Sequence, residues 1–112
     1  MSIFVRARFA VHDGREAEFE EIARTLRDRA KNEHGIITYR FFSAGDGGYL
    51  VLEEYADSAD AILHQENARE LLARVRECAD MTDIEFYGPI WPELQEWVTS
   101  VDHATWYPES GE

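Results

Sequence analysis

The chain has little positive charge, a single cysteine and no long apolar run. Its 11 lysine and arginine residues against 23 aspartate and glutamate residues give a formal net charge of −12, which repels nucleic-acid phosphates and anionic lipid headgroups. Cys78 stands alone, so neither an internal disulfide nor a thiolate metal cluster can form. No apolar run approaches the ~20 residues that span a bilayer, and residues 1–6 lack the layout of a signal peptide. These absences predict a cytoplasmic protein that binds neither nucleic acid nor membranes.

Recognisable metal and nucleotide motifs are also missing. The chain has four histidines, and no two of them have the i,i+4 spacing of a helical metal-ligand pair. The glycine-rich segment 45–48 joins two predicted strands, whereas a nucleotide-binding loop joins a strand to a helix. We therefore expect no metal ion and no cofactor.

The 112 residues are 45% hydrophobic, enough for one domain with its own core. Apolar residues alternate from Ile3 to Val11, which predicts a half-buried strand. Asp13 is the expected N-cap of the helix that follows, which ends near Gly35. The alternating spacing of strands and the three-to-four-residue spacing of helices predict the other elements. These are a hairpin of 36–43 and 49–56, a helix from Ser58 broken near 65–67, a strand 81–87 and a short helix from Pro92.

This order is typical of an α+β, ferredoxin-like βαββαβ fold, in which two helices cover one face of a four-stranded antiparallel sheet. A symmetric hairpin turn would place Arg40 opposite Glu53, with large apolar groups on both sheet faces. Since an uncovered face normally carries polar residues, a second subunit is the simplest cover. We expect a homodimer, and we treat 1–112 as a single domain, with a core of 2–90 and a C-terminal helical arm of 91–112 that is irregular beyond Asp102.

The hairpin strand Tyr39–Phe42 and the passage from Glu53 to His64 resemble the antibiotic biosynthesis monooxygenase family of dimeric α/β-barrel proteins. The resemblance covers roughly residues 2–90. It implies a homodimer whose sheets face each other, with a pocket for a small apolar or aromatic ligand between sheet and helices in each subunit. Family members include oxygenases of quinols and phenols that use no metal or flavin, and some haem-degrading enzymes.

His64 is the predicted catalytic residue, because a near-neutral pKa suits proton transfer and the short helix should direct it to the end of the pocket. On that placement, His64→Ala should cost little stability. Tyr55 and Trp91 are predicted to bind substrate, since each joins an apolar ring to a polar tip where a regular element ends. Arg40 is a third candidate for substrate binding, although a cross-strand ion pair with Glu53 is the favoured explanation.

Three functions are consistent with these residues. The first is a cofactor-independent monooxygenase of a quinol or phenolic compound, with His64 as base and Tyr55 and Arg40 stabilising the anion. The second is a non-catalytic protein that binds a small ligand in the same pocket. The third is haem binding or degradation, for which His64 would be the axial ligand.

Overall fold

In the computed structural model, which describes residues 1–111, strands and helices follow one another in the predicted order as far as the last helix. Over those residues there are five strands and four helices. They are β1 (Ile3–Val11), α1 (Glu16–Ala30), β2 (Ile36–Ser43), β3 (Gly48–Tyr55), α2 (Ser58–Asn67), α3 (Arg69–Cys78), β4 (Ala79–Tyr87), α4 (Pro92–Ser100) and β5 (Ala104–Tyr107).

The sheet has the strand order β2-β3-β1-β4-β5, with β1 at its centre. The first four strands pair antiparallel, which confirms the predicted ferredoxin-like arrangement. The predicted strand count is wrong by one, because the segment expected to be irregular contains β5. This strand pairs parallel with β4, and α4 supplies the crossover that a parallel neighbour requires.

The predicted break in the second helical region is confirmed, since α2 ends at Asn67 and α3 begins at Arg69. The Asp57 side chain caps α2 by accepting a hydrogen bond from the Asp60 N–H at 3.2 Å, as expected for an acidic N-cap. The predicted cap of α1 is wrong. That helix begins at Glu16, after Arg15, and no side-chain hydrogen bond caps it.

The hairpin register differs from the prediction by one residue. Arg40 lies opposite Leu52, and Tyr39 lies opposite Glu53, because β3 already begins at Gly48 and the loop is not symmetric about 45–48. Since neighbouring residues of a strand face opposite sides, this shift exchanges the faces on which Tyr39 and Arg40 lie. The predicted Arg40–Glu53 pair is therefore absent.

The helices pack on the sheet face that carries Val5, Val51 and Phe86, and the side chains there are buried. We call this the covered face. The opposite face, here the open face, carries charged side chains together with large apolar ones that remain exposed. The exposed apolar members are Phe4, Phe42, Leu52 and Tyr107. None of the helices in the described part of the chain is long and apolar enough to cross a membrane.

Candidate functional site

A cavity of about 700 Å³ lies between the covered face and the helices, a volume typical of small-molecule sites. Most of its lining is apolar because the inward positions of the strands and helices are apolar. Representative lining residues are Val5, Val51, Phe86, Phe19, Leu72 and Trp97. Such a lining favours an apolar or aromatic ligand.

Four polar or ionisable side chains meet at one part of this lining: Tyr39, Glu53, Tyr55 and His64. Glu53 and Tyr55 are two residues apart on β3 and so share the covered face. Tyr39 is the partner of Glu53 across the β2–β3 ladder, and α2 brings His64 over the sheet, with its ring centroid 4.9 Å from that of Tyr39. The register of the hairpin thus assembles the cluster.

The carboxyl group of Glu53 is the acidic group of the cluster, and the Tyr55 hydroxyl donates a hydrogen bond to it. Burial raises the pKa of Glu53 to about 7, although the hydrogen bond from Tyr55 acts in the opposite direction. Glu53 keeps some exposed surface, but that surface faces the cavity, so we take its surroundings as poorly solvating. At neutral pH this carboxyl group can therefore both accept and release a proton.

Tyr55 is almost completely buried, at 1% exposure, and its hydroxyl reaches the cavity beside Glu53. Burial and the neighbouring Glu53 carboxylate raise the pKa of Tyr55. It therefore remains a neutral hydrogen-bond donor at neutral pH. The structure brings Tyr55 together with His64, as the sequence prediction required.

His64 lines the cavity but does not lie at an exposed end of the sheet. It is 1% exposed, and its Nδ1 is 3.3 Å from Glu33 Oε2 while its Nε2 is 3.2 Å from the Tyr39 hydroxyl. Burial lowers the pKa of His64, partly offset by Glu33. The expectation that His64→Ala costs little stability is therefore reversed, since the change would leave buried partners unpaired at a cost of about 1–3 kcal/mol.

Arg40 and Trp91 lie outside the cavity lining. The register places Arg40 on the open face, where its guanidinium carbon lies 5.1 Å from the centroid of the Phe42 ring. Trp91 precedes α4 and is 43% exposed. Its backbone N–H donates to the Ser58 hydroxyl at 3.0 Å, and its backbone carbonyl accepts from the first turn of α4. Trp97, one and a half turns further along, lines the cavity instead.

The sequence reasoning did not identify Glu53, Tyr39 or Glu33 as site residues. An acidic residue at an inward position of β3, between Val51 and Tyr55, was a usable signal for Glu53, because a carboxyl group there needs a partner. Glu33 lies in the loop before β2, and its position carries no comparable signal. Among residues 1–111, no three His, Cys, Asp or Glu side chains are grouped so as to hold a metal ion.

The fold and the cavity define a class of α+β sheet proteins in which a carboxyl group, two phenols and an imidazole meet in an apolar cavity. Within that class, the chain belongs to the antibiotic biosynthesis monooxygenase family, whose model matches residues 2–73. The match ends inside α3, so β4, α4 and β5 lie beyond it. Comparison with curated protein sequences gave no significant match.

Solved structures show the same fold at low sequence identity. MupZ from Pseudomonas fluorescens is 18% identical, with a TM-score of 0.83 over 99% of this chain and 92% of its own. A conserved protein from Methanosarcina mazei is 22% identical, with a TM-score of 0.72 over 78% and 91% of the two chains. SnoaB from Streptomyces nogalater, described as a cofactor-independent oxygenase, is 16% identical, with a TM-score of 0.66 over 76% and 89%. Of these three, MupZ alone matches nearly the whole chain, including the C-terminal arm.

Proposed function

We propose that this protein is a cofactor-independent monooxygenase of a quinol or phenolic aromatic compound, with Glu53 as the base. The observation that carries the proposal is the Glu53–Tyr55 pair inside an apolar cavity, because it combines a carboxyl group of pKa about 7 with a site for an aromatic ring. Family membership and the fold shared with SnoaB support it. Glu53 replaces His64 in this role, since both ring nitrogens of His64 already have partners.

The chemistry asks three things of the chain. The apolar walls of the cavity hold the ring and exclude water. Ionised Glu53 accepts the proton of the substrate, and the Tyr55 hydroxyl stabilises that carboxylate by donating a hydrogen bond to it. The electron-rich anion then reduces dioxygen directly. When a ring CH₂ becomes a carbonyl, one oxygen atom of O₂ enters the product and the other leaves as water with the two substrate hydrogens.

Oxygen uptake with a panel of hydroquinones and naphthols tests this function. We expect uptake well above spontaneous autoxidation, insensitive to a metal chelator, with one atom of ¹⁸O₂ in the product and one in water. Heat-denatured protein is the control. Ligands that bind and are released unchanged, with no uptake above the spontaneous rate, would instead establish the alternative of a non-catalytic binding protein.

Haem binding is the weaker alternative. An axial ligand needs a ring nitrogen with a free lone pair, and the contacts of His64 with Glu33 and Tyr39 occupy both nitrogens. The residues present therefore do not fit haem without breaking a buried hydrogen bond. We derive no step through haem.

We further propose that two copies of the chain pair through their open faces, because exposed apolar side chains there would otherwise remain in water. Light scattering should then give twice the 13.0 kDa chain mass. Leu52→Glu should shift the protein toward the monomer, since it places a carboxylate inside the paired surface. Leu63→Glu is the matched control, because Leu63 is also an exposed leucine but lies on α2. A monomeric parent protein would contradict this pairing.

A further inference from the structure

Three side chains from separate parts of the chain form a continuous hydrogen-bonded line that ends at the cavity. Glu33 precedes β2, His64 lies in the last turn of α2, and Tyr39 lies on β2. Glu33 Oε2 is 3.3 Å from His64 Nδ1, and His64 Nε2 is 3.2 Å from the Tyr39 hydroxyl. The His64 side chain is 2% exposed and that of Glu33 is 19% exposed. The line therefore runs from a partly hydrated carboxylate to a phenol that lines the cavity.

The chemistry of the three groups sets the direction of the hydrogen bonds. A carboxylate only accepts, so Nδ1–H of His64 donates to Glu33, and the remaining Nε2 lone pair accepts from the Tyr39 O–H. This is the order carboxylate, imidazole, hydroxyl, in which the carboxylate orients the ring and stabilises the imidazolium that forms when the hydroxyl gives up its proton. Any acceptor would satisfy the buried Nδ1–H, whereas a carboxylate in that place also stabilises a positive charge on the ring.

We infer that Glu33, His64 and Tyr39 are a second proton-transfer unit of the cavity, in which Tyr39 exchanges a proton with the bound molecule, His64 stores it and Glu33 stabilises the stored charge. The bound O–H gives its proton to the Tyr39 oxygen as the Tyr39 proton passes to His64 Nε2. The reverse transfer returns the proton to an oxygen atom in the cavity. Tyr39 is the catalytic residue of this unit, and His64 and Glu33 are positioning residues.

The inference rests on the proposed function in one respect, namely the use of the stored proton. Conversion of a CH₂ group to a carbonyl moves two substrate protons to the oxygen atom that leaves as water. Glu53 holds one of them at a time, and a second acceptor near the same ring allows both protons to leave the substrate before the water forms. Tyr39 is the ladder partner of Glu53, which places the second acceptor beside the first.

The titration of His64 in the free protein tests the unit without any ligand. The ionisable groups that face His64 are Glu33 from the loop before β2, Tyr39 from β2 and the Glu53–Tyr55 pair from β3, with the Tyr55 ring centroid 5.9 Å away. NMR follows the titration of the His64 ring, whose signal is assigned by its loss in His64→Gln. In Glu33→Gln the pKa of His64 should fall by ~1 unit or more, because the imidazolium loses the neighbouring negative charge. Glu54→Gln is the matched control, since Glu54 accepts a hydrogen bond from Thr38 on the open face. A His64 titration unchanged by Glu33→Gln would overturn the inference.

Binding of 1-naphthol at neutral pH, where the free molecule keeps its phenolic proton and the ionised form absorbs at longer wavelength, tests the transfer itself. We expect the naphthol to ionise on binding while His64 becomes an imidazolium, and we expect Tyr39→Phe to abolish the second event. Ionisation of the naphthol with a neutral His64 would assign the proton to Glu53 alone and overturn the inference. Neither readout uses oxygen, so absence of oxygen uptake with both results intact would contradict only the proposed function.

Discussion

Glu53→Gln is expected to lower the turnover of the quinol or phenol substrate by ~100-fold or more, because the amide cannot accept the substrate proton. Oxygen uptake at saturating substrate measures the effect. Glu54→Gln is the control variant and should leave the rate unchanged, since the Glu54 side chain faces away from the cavity. Glu53→Gln with wild-type turnover would show that the base lies elsewhere.

The pH dependence follows from the same group. Because the pKa of Glu53 is raised to about 7, a base at this position is ionised only above that pH, so kcat/KM of the wild type should rise with pH through about 7. A rate that falls through the same range would mean that Glu53 acts in its protonated form.

Stability provides an independent check on the raised pKa. The folded carboxyl group holds its proton up to about 7, whereas the ordinary value is 4.5, so the folded state binds more protons between these values and its stability falls as the pH rises through them. Glu53→Gln removes this dependence. The variant should therefore melt no lower than the wild type at pH 8, which also establishes that lost activity is not lost folding.

Truncation after Pro89 is expected to prevent folding or to lower the melting temperature by at least ~10 °C. It removes the buried side chains of Ile90 and Val98, worth about 1.5–3 kcal/mol each, in a protein whose total stability is of order 5–15 kcal/mol. It also removes β5 and the 2.7 Å hydrogen bond from the Trp106 indole to the Gly88 carbonyl, and it opens the cavity wall at Trp97.

Truncation after Tyr107 is the matched control, because it removes 108–112 and leaves α4 and β5 in place. The melting temperature and the solubility are measured for both truncated chains and compared with those of the full chain. Equal melting of the full chain and the chain ending at Pro89 would show that the arm contributes no stability, despite its place in the sheet.

Local pattern in the sequence determined the kinds of element and their order. The alternation from Ile3 to Val11 predicts β1 because a strand exposes alternate residues to one face, and the break of the second helical region near 65–67 follows from two separate start signals. These features depend on neighbours along the chain, so they can be predicted from the sequence alone. Family membership could be predicted for the same reason, since the passage from Glu53 to His64 is continuous.

The tertiary structure decided which of these residues meet. A one-residue difference in the hairpin loop moved Arg40 to the open face and placed Tyr39 beside Glu53, because strand register depends on how the loop closes and not on the strand pattern. β5 needed a neighbouring strand edge before its four residues could form a strand. The proposed base is Glu53 and not His64 because burial and hydrogen-bond partners set the pKa and the accessibility of each group. The partners of His64, Tyr39 and Glu33, lie 25 and 31 residues before it in the chain, separations that no local pattern encodes.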